Sequence, residues 1–116
     1  MEITVDKTGD VAVVVVPVDK IDATNAGEFE RRMAPVLQDT NKLVLNLSCV
    51  RFVDSSGLGA MLFCLRQLVG DHGSRGGDLK LSGMTEQVRV AFELVCMHQI
   101  FDIFGTKEEA VHAFEH

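Results

Sequence analysis

Asp54, Ser55 and Ser56 stand together in the run Phe52-Val-Asp-Ser-Ser-Gly-Leu-Gly59, a carboxyl and two hydroxyls placed directly ahead of an apolar helical pattern. Three chemistries suit that set: a serine nucleophile, an anion cradle, or a hydroxyl presented for covalent modification. A nucleophile needs a base and a sharp elbow of the form G-x-S-x-G, but Val53 occupies the first glycine position. The histidines that could serve are His72 in a glycine-rich loop, His98 and His112 within or beside apolar helical pattern, and the terminal His116. Hydrolysis is therefore disfavoured.

Free N–H groups at a helix start can hold phosphate. The run nevertheless lacks the lysine and the spacing of a P-loop, and Asp54 would repel a diffusible anion. A phosphoryl group attached covalently meets a different balance. Its charge of about −1.5 to −2 is partly offset by the helix N-terminus, so the fold survives, while an acidic contact with a partner is disrupted. A helix cap explains one of the three polar residues, by accepting from the first free N–H groups. It leaves unexplained Gly57 and Gly59, each costing ~1 kcal/mol relative to alanine in a helix interior. Close packing against a sheet or close approach of another molecule would explain them.

The surrounding chain must place this run at the end of a strand. Residues 42–47 (KLVLNL) read as a buried strand, 48–54 as a connecting loop, and Ser55-Ser56 as the start of a helix with Leu58, Met61, Leu62, Leu65, Leu68 and Val69 on one face. Ligands of open α/β sheets bind beyond such strand ends. Upstream, residues 2–6 alternate polar and apolar, Gly9-Asp10 turns, and 11–16 is a β-branched run, which together predict a hairpin. Asn25 with Glu28 makes a capping-box variant for a helix bearing Phe29, Met33, Val36 and Leu37, and Pro35 predicts a kink or restart.

Downstream, residues 70–78 carry four glycines and read as a flexible loop, from which His72 and Arg75 could reach a ligand. Residues 79–81 form a short strand. Thr85 opens a helix with Val88, Ala91, Phe92 and Val95 on one face, 100–104 is a brief apolar segment, and Thr106 with Glu109 caps a last helix that turns Ala110, Val111 and Phe114 inward. The order β-β-α-β-α-β-α-(β)-α predicts one α/β domain over residues 1–116, with a mixed sheet of four to five strands and about four helices.

Composition narrows the function classes. A formal charge of −6, from 17 acids against 11 bases, argues against a nucleic-acid binder. Cys49, Cys64 and Cys96 are odd in number and widely spaced, which predicts reduced core thiols rather than a metal or disulfide framework. The longest apolar stretch is too short for a bilayer and nothing resembles a signal peptide, so a cytoplasmic location is expected, without a membrane span.

The strand Val44-Leu-Asn-Leu47 followed by Phe52-Val-Asp-Ser-Ser-Gly-Leu-Gly59 resembles the signature of the STAS domain family, specifically the bacterial anti-sigma factor antagonists. The likeness extends to the opening hairpin, Ile21-Asp22, Gly83 and Lys107-Glu-Glu-Ala110. It implies a non-enzymatic partner switch. The unmodified protein binds an anti-sigma factor serine kinase and releases the sigma factor, phosphorylation inactivates it, and a PP2C-type phosphatase restores it. The acceptor implied is Ser55. Asp22 and Asp54 match the family's acidic contacts, and Ser56, Gly57 and Leu58 are expected to shape the surface around the acceptor. No catalytic residue, cofactor or metal is implied, and a weak homodimer is left open. The family also includes interaction modules of stress-sensing complexes and lipid-transport systems, which form the alternative reading. The chain departs from the family pattern at Asp19-Lys-Ile-Asp22, at Asn46, and in the length of the 70–78 loop.

Overall fold

The computed structural model describes residues 1–115, so His116 lies outside the described residues. Strands β1 (Thr4–Thr8) and β2 (Val11–Val15) form the expected antiparallel hairpin. The remaining strands of the main sheet, β4 (Lys42–Asn46), β6 (Asp78–Ser82) and β7 (Asp102–Phe104), run parallel to β2, giving the order β1-β2-β4-β6-β7. The central strands are buried on both faces, which is why they read as unbroken runs of valine and leucine.

Helices α1 (Ala26–Asp39), α2 (Ser55–Val69) and α3 (Glu86–Leu94) bury Phe29, Met33, Met61, Leu65, Val88 and Phe92 against Val14, Leu43, Leu45, Leu79 and Leu81 on one face of the sheet. Phe92 and Phe101 meet edge to face at 5.8 Å. Full burial of side chains of this size stabilises by roughly 1.5–3 kcal/mol each relative to exposure. Helix α4 (Lys107–Ala113) covers the other face with Ala110 and Val111 over Val11, Val13 and Val44. There the nearly buried Lys80 donates to Asp102 at 2.8 Å and Asp78 at 3.1 Å, and lies over the Phe114 ring at 4.8 Å. Burial pulls its pKa down, but the two carboxylates outweigh burial and hold it above the usual lysine value.

Several expectations need correction. The 48–54 segment is not all loop: β5 (Phe52–Val53) pairs in parallel with β3 (Lys20–Ile21), forming a second sheet of two-residue strands. Pro35 causes no restart, because α1 continues through it to Asp39 on a solvent-exposed face, where water can serve the carbonyl that the proline leaves without a donor. Of the cysteines only Cys64 is in the core, where desolvation, with a smaller effect from Glu30, pushes its thiol up to about 12. Cys49 and Cys96 are exposed in connections. Val95 is exposed as well, because α3 stops at Leu94 and Cys96 takes the left-handed conformation (φ 59°) that turns the chain away.

Candidate functional site

The small β3–β5 sheet decides where the polar run lies. Ile21 pairs with Val53, so the chains leaving both strands run side by side, and Asp22 and Asp54 follow at equivalent positions. The Asp19 carbonyl accepts from the backbone N–H groups of Arg51 (2.7 Å) and Phe52 (3.1 Å), and the Ile21 carbonyl accepts from Asp54 N–H at 3.3 Å. The unusual Asp19-Lys-Ile-Asp22 turn is therefore docked along its length on the 51–54 segment.

Asp54 is the N-cap of α2. It has extended backbone, and its Oδ1 accepts from Gly57 N–H at 3.0 Å. Its Oδ2 accepts from Ala23 N–H at 3.2 Å, so one half-buried carboxylate ties the helix start to the loop after β3. This occupation of the cap leaves the next two residues free. Ser55 and Ser56 are exposed, and among the described residues neither hydroxyl has a hydrogen-bond partner.

Asp22 behaves differently from Asp54. Its Oδ1 accepts from the hydroxyl of Thr24 and from Thr24 N–H at 2.9 Å. These bonds, with a weaker contribution from Lys20, whose Nζ lies 3.7 Å from Oδ2, hold the Asp22 carboxyl below its usual range and keep a negative charge beside Asp54. Asp22 thus also has a structural task, holding the loop after β3 through Thr24. Asn25, read as a forward cap, instead points backward: Oδ1 accepts from Asp22 N–H and Nδ2 donates to the Lys20 carbonyl, both at 2.9 Å. Glu28 does not complete a capping box either, because it binds the N-terminal ammonium of Met1 at 2.7 Å.

Gly57 and Leu58 are buried, so they act on the surface only through what they support. A Cβ at Gly57 would lie 2.3 Å from the Ile21 carbonyl oxygen and 2.8 Å from Val53 Cγ1. Of the two explanations for this glycine, close packing holds: the space is taken by the chain's own β3–β5 sheet. Gly59 is the reverse, exposed with nothing within 4 Å of an added Cβ. Phe52, 54% exposed on β5, is an apolar neighbour that the motif did not single out. Its place opposite the buried Val53 in an alternating pair was the available signal.

Among the described residues, His72 and His112 lie away from this run. His72 lies beyond the C-terminal end of α2, about 22 Å of helix from Ser55 at 1.5 Å per residue. His112 is on α4, across the sheet, with Nδ1 3.3 Å from Glu115. Arg75 is turned onto the Gln67 carbonyl at 2.9 Å. A cavity of about 590 Å³, lined by Lys7, Leu37, Asn41, Phe63 and Arg75 among others, opens at that far end of α2. No group of three or more His, Cys, Asp or Glu side chains suited to a metal occurs among the described residues.

The STAS domain model matches residues 2–110. The chain belongs to the STAS domain family. The anti-sigma-B factor antagonist of Bacillus subtilis (strain 168) is 27% identical over 92 residues, which cover 79% of this chain and 81% of that protein. An anti-sigma factor antagonist from Mycobacterium paratuberculosis has the same fold, with a TM-score of 0.84 at 24% identity over 99% of this STAS chain and 94% of the other. So has an anti-sigma-factor antagonist (STAS) domain protein from Planctomyces limnophilus, with a TM-score of 0.87 at 17% identity over 98% of each chain. The mixed sheet of four to five strands and about four helices expected from the sequence is, among the described residues, a five-stranded sheet with four α-helices, the STAS fold. Among the described residues no helix is long and apolar enough to cross a membrane.

Proposed function

We propose that this STAS domain is an anti-sigma factor antagonist whose binding is switched off by phosphorylation of Ser55. The observation that carries the reading is the free, exposed Ser55 hydroxyl in the first turn of α2, where Asp54 has already taken the capping role. The hydroxyl is not needed by the fold and is accessible to another enzyme's active site.

In the unmodified state Asp22 and Asp54 present negative charge and Phe52 an apolar contact to an anti-sigma factor serine kinase, with Ser56 at the rim and Gly57 and Leu58 supporting the helix end from beneath. The kinase supplies ATP and magnesium. Its phosphoryl group is transferred to Ser55 Oγ, which gives up its proton, and ADP leaves. The new charge of about −1.5 to −2 is costly to desolvate at the contact and repels an acidic group of the partner facing Ser55, so the interface is lost. A PP2C-type phosphatase reverses the step by hydrolysis. The chain itself performs no chemistry in this scheme.

Incubation with the cognate kinase and ATP, followed by mapping of the modified peptide by mass spectrometry, tests the reading. Phosphate is expected on Ser55, retained in Ser56→Ala and lost in Ser55→Ala. Phosphate on Ser56 alone, or none with an active kinase, overturns it.

A further inference from the structure

Among the described residues seven large hydrophobic side chains are exposed, and four of them, Val90, Leu94, Val95 and Ile100, fall within one short stretch around the end of α3. Scattered exposed hydrophobics are ordinary, but a contiguous group is a contact surface. Leu94 is the most exposed of all at 79%. The left-handed turn at Cys96 creates the group, folding Met97–Gln99 back against α3 and leaving Ile100 exposed beyond Leu94 and Val95.

The charges around the patch indicate what covers it. Val90 and Leu94 stand one turn apart on the outer face of α3, and Arg89 and Glu93 form a parallel stripe along one side. Neither Arg89 nor Glu93 has an ion-pair partner among the described residues. Two copies of α3 crossing antiparallel about a two-fold axis near residue 92 would place Val90 against Leu94 of the second copy. The same operation brings Arg89 within a helical turn of Glu93 of the second copy, twice by symmetry. A stripe that carries both signs one turn apart is complementary to itself.

We infer that α3 and the turn after it form a self-association surface, through which a second copy of this chain docks in an isologous, antiparallel helix pair. The surface is carried by α3 and not by α2, whose first residue is Ser55, and the inference does not rest on the phosphorylation switch. Sedimentation velocity from micromolar to millimolar protein tests it on the full chain. Wild type is expected to pass from monomer to dimer, and Leu94→Glu to remain monomeric with an unchanged thermal midpoint, because the side chain is already in solvent. Arg89→Glu or Glu93→Arg alone should each weaken the dimer about fivefold, and the double reversal R89E/E93R should restore it. Ser55→Asp should leave the dimer unchanged. A wild type monomeric throughout overturns the inference, as does a dimer indifferent to Leu94→Glu or unrescued by the double reversal. Loss of kinase binding in Leu94→Glu with a monomeric wild type would assign the patch to the kinase instead, and equally overturns it.

Discussion

Two helix starts lie side by side in this domain, each reached through a two-residue strand followed by an aspartate, and they are finished in opposite ways. Before α2, Asp54 turns forward onto Gly57 N–H and leaves two hydroxyls unengaged. Before α1, Asp22 turns onto Thr24 and consumes the one hydroxyl nearby, while Asn25 reaches back to Lys20 and caps nothing. The same residue types thus build a presenting surface at one start and a closed turn at the other. The direction of a single carboxylate decides which hydroxyl is left without a hydrogen-bond partner.

Glycine substitution separates the two starts most sharply. Gly57→Ala should destabilise by about 3 kcal/mol, because its Cβ would collide with the Ile21 carbonyl, a backbone atom that cannot step aside. Gly27→Ala, in the first turn of α1, meets only the tip of Arg31 at 3.5 Å and should be neutral or stabilising by up to ~1 kcal/mol. Urea unfolding of both variants measures the contrast. Equal effects would mean that the β3–β5 sheet does not press on α2 as described.

Removing the carboxylates comes next in size. Asp54→Ala loses the cap and the tie to Ala23 together and should cost about 1–2 kcal/mol by the same unfolding assay. Thr24→Ala, at the closed start, should cost only ~0.5 kcal/mol, since its hydroxyl bond is exposed. The variant should also leave phosphate incorporation unaffected.

Acid titration sharpens the comparison further. The Asp22 carboxyl is held below its usual value by Thr24, so its contribution to stability is full above the unfolded-state pKa and is lost as pH falls through the lowered folded value. Asp22→Asn should therefore flatten the acid side of the stability profile below about pH 4. An unchanged profile would show that the Thr24 bonds do not persist in solution.

Long-period features were readable from residues alone. The alternation of strands and helices, the ends of α2 at Ser55 and Gly70, and the threonine caps at Thr85 and Thr106 all follow from spacing and local chemistry. What was not readable depends on partners distant in sequence. Strands β3 and β5 are too short to carry a pattern and exist only because each supplies the other's hydrogen bonds. Asn25 has the right type and spacing for a cap, and only the docked 19–22 turn reveals which way it points. Val95 kept helical phase with Phe92, but the backbone had already left the helix. At the site, the motif set the polar residues at the start of α2, yet the purpose of Gly57 depended on Ile21, which lies 36 positions earlier.

Under the proposed switch, that separation would let the β3–β5 sheet report on folding. Ser55 is present in every chain, folded or not, but Asp22 reaches its side only once residues 19–22 have docked on 51–54. A kinase that requires both features would ignore nascent and misfolded copies. The phosphorylated fraction would then count only molecules able to bind, and a heat-unfolded sample should incorporate phosphate far more slowly than the native protein.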